Sequence, residues 1–386
     1  MSRRPRVTVL VRLAVAAALP VLAACGAASG HRTTTARAAG RQPACPVVVD
    51  GELQAIAQRI YAQAAGGRNV AAVRRRLSHA SALAAAVYAG DPAATLAALH
   101  PLLKHQVRRL IVTRGVHVLA DLGRAPALAP VRGEILDRAG HPVGRYVVAV
   151  AGDTAIADII RTITGATVDV APGVDDPITV RATAWPAGPL TIGLRPTAAA
   201  SSGGDCGATA AATRANVVRD AALRLYTAEA SGPATQRVLR HVATDRGFQR
   251  AVAARDPVAL RAAIIRFFRQ RSLHVVRIRA FARGGRLIGD VGGPYVLAPA
   301  QRTVRARDGR VLGKVVLSVQ DDAGYLKLLH RFTGAGVVLR GAAGPIPGAV
   351  PLRGVGAVRR VHLTVGAFPT GDLGVTLETP TATPTS

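Results

Sequence analysis

The stretch Arg307-Asp308-Gly309-Arg310-Val311-Leu312-Gly313-Lys314-Val315-Val316-Leu317-Ser318-Val319 decides the fold of this chain. Asp308-Gly309 is a strong hairpin signal, because glycine accepts the positive φ that a tight turn needs. The turn joins residues 303–307 to residues 311–319, and Gly284-Gly285 turns an earlier strand, with side chains alternating over residues 274–281, into its own partner. The sequence therefore predicts antiparallel strands joined by short turns.

Helical patterns lie on both sides of such strands. Apolar residues recur at helical spacing near the start of the chain, at Leu53, Ile56, Ala57, Ile60, Tyr61 and Ala64. Asp91-Pro92 supplies an N-cap aspartate followed by a proline at the first helical position. Asp321-Asp322 begins a later helix that Thr333-Gly334 ends. The fold class predicted is α+β, with a helical region first, then an antiparallel sheet and a late helix.

The chain contains this arrangement twice. With a shift of 165 residues, Leu53 and Tyr61 match Val218 and Tyr226, and Asp91-Pro92 matches Asp256-Pro257. An insertion then changes the shift to 169, which aligns Leu128-Ala129-Pro130 with Leu297-Ala298-Pro299. A tandem repeat of this length predicts two copies of one structural unit.

Composition around the repeats gives the remaining boundaries. We expect a signal peptide at residues 1–24, a tether at 25–44, a first domain at 45–196, a linker at 197–205, a second domain at 206–379 and a disordered tail at 380–386. No later segment offers about 18 uninterrupted apolar residues, so no membrane-spanning helix is expected in the mature chain.

The first residues resemble a lipoprotein signal peptide. Four arginines precede an apolar run from Leu13 to Leu22, and Leu22-Ala23-Ala24-Cys25 resembles a lipobox. That resemblance implies acylation of Cys25 and a lipid-anchored, extracytoplasmic protein at the outer face of the cytoplasmic membrane. An ordinary cleaved secretory signal is the alternative. Two cysteines then remain, Cys45 and Cys206, which either form a disulfide in an oxidising exterior or stay as independent thiols.

The charge of the chain is strongly basic. The net charge is +28 and falls to +24 when Arg3, Arg4, Arg6 and Arg12 leave with the signal peptide. Aromatic residues make up only 3% of the chain, which argues against stacking on nucleic acid bases, so no nucleic acid partner is expected. The arginines are either solvated surface charge or contacts to anionic lipid or wall polymers.

Both copies resemble Cache domains, the extracellular PAS-like sensor modules of bacteria. The residues that carry the resemblance are the hairpin strands of the second copy, 275–278, 284–288 and 307–319, and, more weakly, 137–150 of the first. The resemblance implies a pocket on one face of the sheet for a small solute such as an amino acid or carboxylate. No transmembrane helix joins the domains to a signalling module, so a signal would need an envelope partner.

Motifs for enzyme chemistry are not recognisable in the sequence. Histidines show no zinc-protease spacing, and neither a nucleophile elbow nor a phosphate-binding loop occurs. No catalytic residue, metal or cofactor is expected. Residues that differ between the copies are the candidates for specificity. Arg124 faces Gly293 and Tyr295 faces Pro126, while Arg277 and Arg279 share one strand face.

The function predicted is that of a lipid-anchored solute-binding or sensory accessory protein of the cell membrane that passes occupancy to an envelope signalling partner. The alternative is a structural or adhesive envelope protein whose basic surface binds wall or membrane anions. A third hypothesis is an unrecognised hydrolase, which would need distant carboxylates brought together by the fold.

Overall fold

The computed structural model describes residues 45–102, 107–123, 127–185, 188–197, 206–352, 356–369 and 371–382. The signal peptide, Cys25 and nearly all of the tether and linker predicted from the sequence lie outside these residues. These described residues all belong to one compact unit. No helix within the described ranges is long and apolar enough to cross a membrane.

The first copy begins with four helices and continues with strands around a fifth helix. In chain order the elements are α1 Cys45–Gly66, α2 Arg68–Ser78, α3 Ser81–Ala89, α4 Pro92–Leu99, β1 Arg109–Arg114, β2 His117–Gly123, β3 Ala127–Leu128, β4 Val131–Leu136, β5 Pro142–Ala149, β6 Ala151–Gly152, α5 Asp153–Thr164, β7 Thr167–Ala171, β8 Ile178–Trp185 and β9 Gly188–Arg195.

The second copy repeats this order and adds a 3₁₀ turn and two short strands. Its elements are α6 Ala210–Ser231, α7 Pro233–Thr244, α8 Arg246–Ala254, α9 Pro257–Arg269, a short 3₁₀ turn Arg271–Leu273, β10 Arg277–Ala282, β11 Leu287–Gly292, β12 Val296–Leu297, β13 Ala300–Arg305, β14 Val311–Ser318, β15 Gln320–Asp321, α10 Asp322–Thr333, β16 Gly336–Gly341, β17 Gly344–Pro345, β18 Val358–Val365, β19 Ala367–Phe368 and β20 Leu373–Pro380.

The strands pair antiparallel throughout these ranges, which confirms the α+β class. The sheets have the orders β2-β1-β5-β4, β11-β10-β14-β13, β15-β12-β19, β17-β16-β20-β18 and β6-β3-β8-β9-β7. The Asp308-Gly309 turn joins β13 to β14, and Gly309 has φ +83°. The Asp91 side chain accepts hydrogen bonds from the Ala93 and Ala94 amides at 2.8 and 3.0 Å and begins α4.

Each copy contributes an outer lobe. In the first, α2, α3 and α4 pack on the sheet β2-β1-β5-β4 around the buried Tyr146. In the second, α7, α8 and α9 pack on the sheet β11-β10-β14-β13, where the rings of Phe248 and Phe267 lie 6.1 Å apart. Burial of these faces by large side chains stabilises each lobe through the hydrophobic effect.

The two copies also share a central core. There α1 and α5 pack on the strands β8 and β7, α6 packs on β18 and β20, and α10 packs on β16. Because α1 also packs against α6 and α10, apolar residues of both copies form one continuous cluster. The repeat that is separated along the sequence is therefore joined in space by its opening helices.

A disulfide joins Cys45 to Cys206, with their Cα atoms 5.7 Å apart. Cys45 is the first residue of α1 and Cys206 lies just before α6, so the bond connects the starts of the two opening helices. A cross-link between segments so distant in the chain restricts the unfolded state.

Candidate functional site

A cavity of about 340 Å³ opens between the two opening helices, close to the disulfide. Its volume is at the lower end of the range of small-molecule pockets. Helices α1 and α6, the end of α10 and the end of β20 supply its walls. Its lining consists of Val47, Val48, Gly51, Glu52, Ala55, Arg59, Ala210, Arg214, Val218, Thr333, Gly334, Ala335, Thr379, Pro380 and Ala382. Most of these residues are small or apolar, and only three are charged.

Glu52 is the acidic group of the cavity. Its side chain is 14% exposed and lies on α1, one helical face of which is buried in the central core. Burial raises the pKa of the Glu52 carboxyl, while the charges of Arg59 and Arg214 oppose that rise. A carboxylate held in a mostly apolar cavity costs free energy unless a cation approaches it.

Arg59 is the first of two basic groups. Its Nη1 atom lies 3.7 Å from Glu52 Oε1, which makes an ion pair too long for a hydrogen bond. That Nη1 atom is buried and donates to no described residue. The guanidinium also covers the end of α10, since a Cβ built on Gly334 would lie 2.9 Å from its central carbon. A cation at this position is favoured by the negative end of the helix dipole.

Arg214 supplies the second guanidinium group, from α6. Its Nη2 atom donates a hydrogen bond to the backbone oxygen of Thr381 at 2.9 Å. The two arginines thus come from different copies of the repeat and line one cavity with a single carboxylate. Such a site offers cationic groups to a carboxylate and an anionic group to an amine.

The repeat makes a second position equivalent to this cavity, and part of the contact is kept there. Arg224 matches Arg59 at the shift of 165 residues. Its Nη1 atom donates to the Thr164 backbone oxygen at 3.0 Å, so it covers the end of α5 as Arg59 covers the end of α10. An arginine of each opening helix therefore contacts the end of the late helix of the other copy. Because both copies have this contact, it has a structural role and does not by itself indicate a ligand.

The other charges of the cavity occur on one side only. The same shift pairs Glu52 with Val217 and Arg214 with Val49, and both valines are buried. The equivalent position is filled by apolar side chains where the cavity holds a carboxylate and a guanidinium. The carboxylate of Glu52 and the guanidinium group of Arg214 are thus local additions to a symmetric framework.

Two of the arginines predicted as ligand contacts, Arg277 and Arg279, lie elsewhere, in a salt-bridge cluster on the second outer lobe. Arg277 binds Asp290 through two contacts of 2.7 Å, donates to the backbone oxygen of Gly293, and is 13% exposed in its side chain. Arg279 lies 3.0 Å from the same aspartate. Both guanidinium groups are already committed to Asp290, so they support strand pairing between β10 and β11.

Tyr295, also predicted as a ligand contact, does not line the cavity. Tyr295 packs against the central core. Arg124 and Cys25 lie outside the described residues. The criterion used in the sequence, a difference between the copies, would have selected Glu52 and Arg214 as well. The sequence alone does not show that the two opening helices, α1 and α6, pack against each other.

Among the described residues, no group of three His, Cys, Asp or Glu side chains could hold a metal ion. No protein-family model matches the chain, and no curated protein matches it. Among solved structures, the periplasmic domain of Vibrio cholerae LuxQ is similar over 38% of this chain and 91% of its own, with 13% identity and a TM-score of 0.27.

Proposed function

We propose that this chain is an extracytoplasmic solute-binding or sensory accessory protein that holds a small carboxylate or amino acid between its two opening helices. The observation that carries the proposal is the cavity in which Glu52, Arg59 and Arg214 meet between apolar walls. The guanidinium groups would bind a carboxylate, and Glu52 would bind the ammonium group of a zwitterionic solute.

The shared core gives the solute a means to affect the rest of the molecule. The cavity is lined by α1 and α6, and each of these helices also packs on a sheet of its own copy. A ligand that draws Arg59 and Arg214 together would favour one packing of α1 against α6. That change in packing is the signal we propose for an envelope partner.

The expected compartment is consistent with this function. Stable disulfides form mainly in oxidising environments, which supports an extracytoplasmic location. The lipobox-like residues before Cys25 support a lipid anchor at the membrane. We propose binding without a chemical step, because the cavity lining contains one carboxylate and no histidine, serine or cysteine.

A thermal-shift screen tests the proposal. Amino acids, dicarboxylates, monocarboxylates and amines are added separately to the full chain, and hits are measured by calorimetry. A solute at one hundred times its Kd stabilises the native state by about 2.7 kcal/mol, which raises the Tm of a protein of this size by about 4 °C. Absence of a shift with every solute would contradict the proposal and favour a structural or adhesive role.

Variants separate binding at the cavity from general stability. Glu52→Gln should weaken the binding of zwitterions more than the binding of simple carboxylates. Its control is Glu134→Gln on an exposed strand, where the carboxylate pairs loosely with Arg145 at 3.9 Å. Arg59→Gln should weaken the binding of both classes of solute. Its control is Arg224→Gln, which removes the equivalent helix-end contact outside the cavity. Equal loss of binding in Arg59→Gln and Arg224→Gln would place the solute elsewhere.

A further inference from the structure

The second outer lobe has an arginine-lined groove on its surface. The groove, here called the arginine groove, lies between helix α8 and the β13–β14 hairpin and consists of two hollows of about 590 and 340 Å³ whose linings share Gln249. Six exposed arginines line it, from the helix on one wall and the hairpin on the other, namely Arg246, Arg250, Arg302, Arg305, Arg307 and Arg310. Asp308 is the one acidic residue among its lining.

Most of these guanidinium groups lack partners within the described part of the chain. Arg305 donates to the Gly309 backbone oxygen at 3.0 Å, and Arg310 lies 3.9 Å from Asp308. The other four make no ion pair or hydrogen bond with a described residue. Like charges gathered in one groove repel each other, and an anion lying between them would remove that cost.

The first copy contains an equivalent hollow with fewer charges, in which Arg138 keeps the position of Arg307. There Ser81 and Ala85 occupy the positions of the two helix arginines Arg246 and Arg250, and the hairpin positions of Arg302 and Arg305 are glycine and leucine. The hollow on that side is lined by one arginine and one aspartate among mostly small residues. A general excess of arginine in the chain would place similar numbers of arginines in both grooves. The larger number in the second copy is therefore a specific feature of that groove.

The shape of the groove indicates the kind of anion. Arginines on two facing walls surround a linear chain better than a flat bilayer. No aromatic residue lines the groove, so bases have no platform for stacking. The large apolar side chains that the protein exposes also lie outside the lining, and an interfacial membrane contact would need them.

We propose that the arginine groove binds a linear, phosphate-bearing polymer, independently of the solute cavity. Each guanidinium can hold a phosphate through two parallel hydrogen bonds, and successive phosphates would alternate between the helix and hairpin walls. The partner would hold the second outer lobe on an anionic polymer, while the central core stays free to bind its solute.

Binding of long-chain inorganic polyphosphate to the full chain tests the proposal. Arg246→Ser with Arg250→Ala installs the residues of the first copy, and should lower the affinity at least about ten-fold and flatten its dependence on salt. The control, Arg75→Ala with Arg76→Ala, removes two exposed helix arginines from the first copy and should change the affinity less than about two-fold. Equal effects of the two double variants would overturn the proposal, since they would indicate attraction by net charge alone.

A gain-of-function variant keeps the test independent of folding. Ser81→Arg with Ala85→Arg gives the first copy the helix arginines of the second, and should raise polyphosphate binding. Inorganic phosphate, phosphatidylglycerol vesicles and duplex DNA are the comparison ligands. Tighter binding to vesicles or to DNA than to polyphosphate would overturn the assignment to a linear phosphate polymer.

Discussion

Removal of the Cys45–Cys206 disulfide should destabilise the protein strongly and by a calculable amount. The bond joins residues 161 positions apart, so it closes a very long loop in the unfolded chain. The entropy of closing such a loop corresponds to about 5 kcal/mol at 25 °C. For a compact unit of this size, with an unfolding entropy of about 0.7 kcal/mol per degree, the expected fall in Tm is about 7 °C.

The assay is urea denaturation of the protein and of Cys45→Ala with Cys206→Ala, each with and without reductant, in a Cys25→Ser background. The native protein should lose stability on reduction, and the double variant should start at the lower stability and not respond. The reasoning would be refuted by a difference under about 1 kcal/mol, or by both thiols being alkylated in the unreduced native protein.

The disulfide should also affect solute binding. Val47 and Val48 on α1 and Ala210 on α6 line the cavity within a few residues of the two cysteines. Without the bond, the starts of these helices are held only by packing, so ordering them would cost part of the binding free energy. Reduction should therefore weaken the binding of any solute found by the thermal-shift screen. Calorimetry measures that affinity at a temperature where the reduced protein remains folded.

Three further outcomes follow from particular contacts. Glu52→Gln should raise the Tm at neutral pH, because burial raises the pKa of the Glu52 carboxyl and makes its ionised form costly. Thermal denaturation across pH should show this gain in Tm shrinking as the pH falls toward 4.5, the ordinary pKa of a glutamate. Gly292→Ala should cost about 3 kcal/mol in urea, because φ is +145° and a Cβ would overlap the Val276 backbone oxygen, whereas Gly309→Ala, with φ +83° and open space, should cost about 1 kcal/mol. Arg277→Gln should destabilise by about 2 kcal/mol through loss of its paired contact with Asp290, yet leave solute affinity unchanged in calorimetry.

The parts of the fold that the sequence predicts are those encoded by neighbouring residues. The Asp308-Gly309 hairpin, the Asp91 cap and the glycine stop after α10 each depend on a turn or cap that is complete within a few residues. The antiparallel character of the sheets follows from such hairpins. These signals are local, and therefore a single sequence contains them in full.

The assembly of the sheets depends on contacts between distant residues and was beyond the sequence. In each copy the chain passes from one sheet to the next at an alanine with φ +54°, Ala129 or Ala298, that precedes a proline. The repeat alignment identified both positions as matched but could not indicate their positive φ, since alanine rarely adopts it. Strand β12 pairs with β15 and β19, and tertiary packing determines that pairing as well.

Comparison of the two copies is the step that connects sequence to site. A residue shared by the copies, such as the matched Arg59 and Arg224, has a structural reason to be shared, because both cover the end of a late helix. A charged residue in one copy whose matched position in the other copy is a buried valine has no such structural reason. Glu52 occupies a position that Val217 fills at lower cost, so the fold itself does not require a carboxylate there. A group that is costly to the native state and unnecessary to the framework is best explained by what it binds. The same argument applies to the arginine groove, whose equivalent in the first copy is lined by one arginine.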